Sequence, residues 1–534
     1  MIRHEIAKAV LMFSGVALIA FLAVCRLSPP EAAPETSPAT EFSAGRAAKF
    51  LMEIAQKPHP MGAPEHARVR DYIFRALSDM GFKPEAHDNS VIRNIVVRLN
   101  EAGEGRKAVV LVAHYDTVQS SPGAGDDGYG VATLLETARA LKANAPLKNK
   151  VILLFTDGEE HGLLGAKAFV YGHPSIADAG IVLNFDARGN SGPFLMFQTS
   201  DQNEWLIEEF GKAAPFPVAN SLMSEIYKTL PNDTDFSVFR DAGVAGLNFA
   251  CIDGFGSYHT PADSLDNIDS RTIQHAGSYA LALTRHFGEL DLDRGAGGRV
   301  VYFDILGKIL VRYSQKWILP LTIFVALLLA GIFTYGFLNG RLTLTGIAMG
   351  FLALLLSILG SIAVIYAAQP LGVLAPLAPD ASAHNRNYGN SLYVLGPVAL
   401  TLVTTLGVYA LFRKIAGVQD LTAGGLLWWL LLMTLSSLIT PGGSYLFTWP
   451  LLFNVIAFGL SLTAKNQKTF SWKHSALFSI CAIPGGILLT PMVYLVLIGM
   501  TLKWSAALMA VVVLLLGTFI PHLCQLVSPG NRQA

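Results

Sequence analysis

The sequence predicts an α/β domain followed by an all-α membrane bundle, and three observations carry that prediction. The runs Val109 to Ala113, Val151 to Phe155 and Ile181 to Leu183 are short, β-branched and almost continuously apolar. That is the pattern of parallel strands buried on both faces. After Asp126, the residues Val131, Leu134, Leu135, Ala138 and Leu141 recur at helical spacing, which gives a helix an apolar face to lay on the sheet. From about Trp317 onward, apolar stretches of membrane-spanning length follow one another with short polar gaps.

At 534 residues the chain exceeds one ordinary domain, and its 52% hydrophobic and 15% charged composition departs from a soluble average at its two ends. Residues 1–27 read as a transmembrane anchor, with Arg3 and Lys8 ahead of the apolar run Ala9 to Val24. Leu22-Ala23-Val24-Cys25 faintly resembles a lipoprotein cleavage box, but Val before the Cys fits it poorly, so the anchor is expected to stay uncleaved. Residues 28–42, rich in Pro, Ala and Glu, read as a disordered tether. The soluble domain is expected over 43–290, a connector over 291–315, a seven-helix transmembrane region over 316–524 and a cytoplasmic tail over 525–534. The seven stretches are about 317–337, 343–367, 391–412, 424–440, 444–463, 475–499 and 504–521, each near the ~20 residues that cross a bilayer.

Alternate crossings put Arg341, Arg413, Lys414, Lys465, Lys468, Lys473 and Arg532 on the side of the N-terminus. The opposite short loops hold only Arg386 and Lys503, with Lys308, Arg312 and Lys316 flanking the first bundle helix there. The positive-inside rule then sets the soluble domain outside the cytoplasm. The spans hold essentially no Asp, Glu, Lys or Arg, which argues against ion-coupled transport and for an anchor or a dock for protein partners. Zero net charge and no basic stripe argue against nucleic acid as a partner. Cys251 is alone in the soluble domain, so no internal disulfide forms there, and the absence of CxxC excludes thiolate zinc and redox chemistry.

The chemistry lies in five polar clusters, four of them directly after apolar runs. They are His114-Tyr115-Asp116, Gly125-Asp126-Asp127-Gly128, Asp157-Gly158-Glu159-Glu160, Asn184-Phe185-Asp186 and Tyr258-His259-Thr260. In open α/β sheets, sites gather at the carboxyl ends of the strands. A two-metal hydrolase needs a bridging carboxylate, a His and a carboxylate for each ion, and a base for the attacking water. This inventory supplies them: His114 and Asp186 for one ion, Glu160 and His259 for the other, and Asp126 between. Glu159 adjoins Glu160, and neighbouring side chains in a turn point apart, so one binds metal while the other faces water as base. Asp116 is placed to accept the ring N–H of His114.

At these residues the chain resembles the M28 family of zinc peptidases. The pattern is His-x-Asp, Gly-x-Asp-Asp-Gly-x-Gly, Glu-Glu, Asp and a C-terminal His, over about residues 45–285. The resemblance implies His114, Asp126, Glu160, Asp186 and His259 as ligands of two Zn2+, Glu159 as base, and a cis peptide between Asp126 and Asp127. It also implies a three-layer αβα sandwich with a mostly parallel sheet. The anchor, the multi-span tail and the stretches Asp186-Ala187-Arg188-Gly189 and Asn232-Asp233-Thr234-Asp235-Phe236 are similar to the membrane-bound subgroup of endoplasmic reticulum and vacuolar metallopeptidases.

Simpler readings compete at each position. A single histidine is more often structural than a ligand; the combination makes His114 and His259 ligands. Asp126 and Asp127 also suit a turn beside Gly125 and Gly128, and Glu159-Glu160 also suits a helix N-terminus. Asp157 reads as a cap, and His161 and His173 as surface or packing residues. Tyr258 is a candidate donor to a tetrahedral oxyanion, with a core role as the alternative. Asp233, Asp235 and Arg188 are candidates for the cleft wall.

The expected function is a membrane-anchored aminopeptidase acting on peptides. A carboxypeptidase on the same scaffold, a glutaminyl cyclase and a non-catalytic receptor-like domain are the rivals. The missing disulfide pairs, the lone sequon at Asn232 and the absence of a retention signal point to a bacterial inner membrane with the domain in the periplasm; in a eukaryotic cell it would be luminal.

Overall fold

The computed structural model describes residues 14–15, 17–88, 91–100, 105–294, 297–368, 392–463, 472–500 and 505–527. The chain divides into two compact units, Leu27–Ser314 and the remainder. The first unit opens with helices α1 (Ala44–Ile54) and α2 (Pro64–Asp79), then strands β1 (Glu85–Asp88), β2 (Arg93–Arg98) and β3 (Ala108–His114). Next come α3 (Gly128–Lys142), β4 (Lys150–Thr156), α4 (Leu164–Gly172), β5 (Ala179–Ala187) and β6 (Ser191–Thr199). Helices α5 (Glu204–Ala213), α6 (Ser221–Tyr227) and α7 (Asp235–Asp241) precede β7 (Gly246–Asp253), α8 (Ser270–Phe287) and the pair β8 (Val300–Ile305) and β9 (Ile309–Ser314).

Seven strands form one sheet in the order β1-β2-β4-β3-β5-β7-β6. The three apolar runs read from the sequence are its parallel centre, β4-β3-β5, extended in parallel by β7. The sheet is more mixed than expected, because the pairings β1–β2, β2–β4 and β6–β7 are antiparallel. Alternation along the central strands makes three layers. Val109, Leu111, Leu153 and Leu183 are buried with Leu135 of α3 and Ile273 of α8. Val110, Val112, Ile152 and Val182 are buried on the other face with Phe169 of α4 and Phe236 and Phe239 of α7. Helix α3 is buried nearly all round rather than along one face, since α1 and α8 cover its outer side.

Two expectations about the domain edges are corrected. Residues 28–42 are not a free tether. The Arg46 guanidinium donates to the carbonyls of Glu35, Ser37 and Glu41 at 2.6, 2.7 and 2.6 Å, and its Nε meets buried Glu136 at 2.8 Å. Phe42 is buried against α8, where a Cβ at Gly277 would lie 2.1 Å from its ring. The connector 291–315 likewise belongs to the domain: β8 and β9 pair as a hairpin whose Val300 and Tyr302 join the main core.

In the second unit every expected stretch is helical: α9 (Ile318–Leu338), α10 (Leu344–Ala368), α11 (Leu392–Phe412), α12 (Val418–Ile439), α13 (Tyr445–Thr463), α14 (Trp472–Met500), α15 (Ser505–Gly517) and α16 (Ile520–Val527). Among the described residues, five helices are long and apolar enough to cross a membrane. Within α11 the apolar helix Gly396–Phe412 is shorter, and the last stretch is not one straight span: α15 and α16 meet at 82°. Gly517 closes the first of these, and Pro521 sits at the second position of the next, where its missing N–H costs nothing. Most of the expected N-terminal anchor lies outside the described residues.

Candidate metal centre

The carboxyl ends of the parallel strands bring five of the expected residues together. His114 ends β3, Asp126 precedes α3, Glu160 follows β4, Asp186 lies near the end of β5 and His259 follows β7. They form two groups, His114–Asp126–Asp186 and Asp126–Glu160–His259, whose ligand atoms lie within 4.8 Å of one another in each. His114 Nε2 is 3.1 Å from Asp126 Oδ1 and 3.7 Å from Asp186 Oδ1. His259 Nε2 is 3.1 Å from Asp126 Oδ2 and 3.0 Å from Glu160 Oε1. Asp126 thus offers one oxygen to each group. His259 sits at φ 58°, the left-handed region, which a non-glycine residue adopts at a cost.

The surroundings fit cations. Asp126 Oδ2, Glu160 Oε1 and His259 Nε2 are buried, converge, and have no hydrogen-bond partner. Burial raises Glu160 to about 7, with the neighbouring Asp126 charge adding to the rise. Burial lowers the His259 ring, but the Asp126 and Glu160 carboxylates, 3.1 and 3.0 Å from its Nε2, outweigh it and raise the group to about 10. Such a cluster of nitrogen and oxygen donors, rich in acceptors and short of positive charge, is what divalent metal ions satisfy.

Glu159 lies beside both groups without belonging to either, and burial holds its carboxyl well above the ordinary range. Asp116, fully buried, accepts the N–H of Glu159 at 3.0 Å and of Glu160 at 3.3 Å, so it orients the Glu-Glu turn. Its relation to His114 differs from the expectation. The ring Nδ1 donates to the backbone carbonyl of Asp116 at 3.0 Å, while the carboxylate is 3.7 Å away. Tyr258 stacks on His259 with ring centroids 3.7 Å apart, and burial raises its phenol far above the usual value, so it remains a donor. Asp157 caps no helix; it accepts from the Arg93 N–H at 2.9 Å and meets His66 at 2.9 Å, tying β2 and α2 to the site's floor. Asp235 is buried on α7 and hydrogen-bonded to Thr156.

The loop 123–130 shows why its glycines are needed. The bond Asp126–Asp127 is cis, as the resemblance implied. Asp127 caps α3 by accepting from Gly130 N at 2.9 Å and also accepts the His114 N–H at 3.2 Å. A Cβ at Gly130 would lie 2.3 Å from that carboxylate, and one at Gly125 would lie 2.6 Å from the Gly189 carbonyl. Sequence reasoning missed Asp263. Its carboxylate accepts from Gly125 N at 2.6 Å and Asp126 N at 3.1 Å, and so holds the bridging residue. Its nearness to His259 was the only sequence signal.

The chain is similar to known proteins over the segment that holds these residues. Residues 94–284 match the model of peptidase family M28. Endoplasmic reticulum metallopeptidase 1 of Mus musculus is 34% identical over 238 residues, 43% of this chain and 26% of that protein. A vacuolar membrane protease of Candida albicans is 32% identical over 244 residues, 43% of this chain and 29% of that protein. The chain thus spans little more than a quarter of the length of these relatives. Among solved structures, an aminopeptidase of Legionella pneumophila aligns with TM-score 0.40 and 16% identity, over 47% of this chain and 73% of that one. The segment similar to peptidase family M28, residues 94–284, contains all five residues of the two ligand groups.

Proposed function

We propose that this chain is a membrane-anchored dinuclear zinc exopeptidase, an aminopeptidase acting on peptides outside the cytoplasm. The observation that carries the reading is the pair of ligand groups sharing Asp126, one oxygen to each. His114, Asp126 and Asp186 would hold one zinc ion, and Asp126, Glu160 and His259 the other. Ions bound there polarise the scissile carbonyl and make water more acidic. Glu159, buried and outside both groups, takes the proton from the attacking water and returns it to the leaving amine. Asp116 keeps Glu159 and Glu160 pointing apart by holding both backbone N–H groups. The Asp116 carbonyl fixes the His114 tautomer, leaving Nε2 as the donor atom toward the site. Tyr258, kept protonated, donates to the oxyanion that forms at the carbonyl.

The test is metal analysis of the purified full chain in detergent, run with a panel of pentapeptides blocked at either end. Two zinc ions per chain are expected, with N-acetylation abolishing cleavage and C-terminal amidation leaving it. One ion per chain would favour cyclase-type chemistry, and loss of cleavage only on C-terminal blocking would make the enzyme a carboxypeptidase.

A further inference from the structure

Arg188 is a cation at the metal centre that the proposed hydrolysis leaves unused. It stands two residues after Asp186, just past the end of β5, and its backbone N–H donates to the Cys251 carbonyl at 2.9 Å. Its guanidinium lies 4.9 Å from the Phe255 ring centroid and 5.7 Å from that of Tyr258. Those two rings stack at 5.9 Å and 19°, and Tyr258 in turn stacks on the His259 imidazole at 3.7 Å and 19°. A run of near-parallel rings therefore leads from a metal-ligand histidine to a guanidinium.

The guanidinium forms no hydrogen bond or ion pair with any described residue, and its Nε is buried without a partner. A half-buried donor left unsatisfied costs free energy, more so when charged. Carboxylates crowd the neighbouring metal centre, yet the aromatic platform keeps the arginine from pairing with them. A planar fork held on rings, desolvated on one edge and unpaired, is built to receive a planar anion.

We propose that Arg188 is a specificity-determining residue that receives a substrate carboxylate, the free C-terminus of a di- or tripeptide. The proposal rests on the peptidase reading of the site. Its reach is right. The guanidinium is no farther from the His259 ring than the 3.7 and 5.7 Å centroid distances together allow, and each extended residue spans about 3.3–3.6 Å. A carboxylate one or two residues beyond the scissile bond meets the fork there. An acidic side chain next to the scissile bond, in a longer peptide, offers the same chemistry.

The experiment uses the full-length, metal-loaded protein in detergent and three probes: Leu-Leu, Leu-Leu-amide and Leu-Glu-amide. The wild type is expected to cleave Leu-Leu about 10- to 100-fold better in kcat/KM than its amide, the worth of one charge-assisted pair. Arg188→Met keeps an apolar side chain on the rings and is expected to erase that preference by lowering Leu-Leu alone. Arg188→Lys, with charge but no fork, should fall between. If Leu-Glu-amide is the favoured probe and Met erases that preference, the carboxylate comes from a side chain and the assignment of Arg188 stands.

Equal cleavage of all three probes by the wild type, or an equal loss on all three in both variants, would show that Arg188 only braces the loop. Should no probe be hydrolysed, the peptidase reading fails, and calorimetric binding of the same probes decides on Arg188. Tighter binding of the acids, lost in Arg188→Met, keeps the carboxylate site; indifference overturns it.

Discussion

Replacing Glu159 with Gln is expected to abolish turnover and leave metal content unchanged, because the amide keeps the shape but cannot take a proton from water. Loss of a general base costs about 10²–10⁴-fold, read as kcat beside metal analysis on the same sample. Glu160→Gln should instead lower metal occupancy, since Glu160 and not Glu159 stands in a ligand group. If Glu159→Gln loses metal and recovers activity when metal is resupplied, the two roles are reversed. Asp263→Asn should weaken both fold and site. Asp263 accepts from Gly125 N and Asp126 N, and an amide has one acceptor oxygen for the two donors. A buried donor left over costs ~1–3 kcal/mol, visible as a lower Tm and weaker metal retention. The residues gathered at the centre were legible because their chemistry shows in residue type just after apolar runs. Asp263 was not, because an Asp after Thr260-Pro261-Ala262 looks like any turn residue. Its role depends on backbone donors 138 residues away in sequence.

At the scale of elements, legibility followed uniformity of environment. Strands β3, β4 and β5 are buried on both faces, so apolarity alone announced them. Strand β7 carries Asn248 in its middle, satisfied by Asn184 of β5 and Gln198 of β6 across the sheet and by Thr234 just before α7, and that polar run disguised it. Segment 28–42 looked like a tether because it is rich in Pro, Ala and Glu, while the groups that order it, Arg46 and Arg139, belong to α1 and α3. Arg46→Met is expected to release that segment, with faster proteolysis between residues 35 and 41 and little change in the core. Glu136 keeps Arg139 at 2.7 Å, so its burial stays compensated. Unchanged cleavage there would show that Phe42 and the hydrogen bonds from Arg139 to the Ala39 and Glu41 carbonyls hold the segment without Arg46.

Helix α8 makes a pH prediction. His275 accepts the Phe194 N–H at its Nδ1 and donates from Nε2 to the Phe216 carbonyl, both at 3.1 Å, an arrangement that requires the neutral ring. Burial lowers its pKa from 6.5 to about 4. The unfolded chain therefore binds more protons between those values. The contribution is complete above pH 6.5 and is lost as pH falls toward 4, on the order of 3 kcal/mol in all. Thermal melts of His275→Gln should show a flatter pH dependence across that window than the wild type; an equal slope would assign the acid loss elsewhere.

For the whole molecule, the bend between α15 and α16 decides how the membrane bundle ends. At 1.5 Å per residue the 13 residues of α15 rise only ~20 Å, short of the ~30 Å hydrocarbon core. The apolar stretch over 504–521 concealed this, because hydropathy reports composition and not direction. Helix α16, beyond the bend, packs back into the bundle. Its Ile520, Leu523 and Cys524 are buried with Tyr409 of α11 and Leu421 of α12, and Phe412, Ala416 and Val418 pack against them. That is the end of the bundle where α11 turns into α12, the turn that carries Arg413 and Lys414. The turn after α9 joins the same end, since Thr343 N donates to Asp420 at 2.8 Å. Arg341, Arg413 and Lys414 thus share one end, which the positive-inside rule predicts to be cytoplasmic. Residues beyond Val527 should emerge there too, whether the bent pair is counted as a span or as a short span with an interfacial helix. Reporter fusions at Gly340 and at Asn531 are expected to report the same, cytoplasmic side, and a fusion in the peptidase domain the opposite one. Gly340 and Asn531 on different sides would mean that α15 returns to the face it entered from, and the alternation of the whole bundle would have to be redrawn.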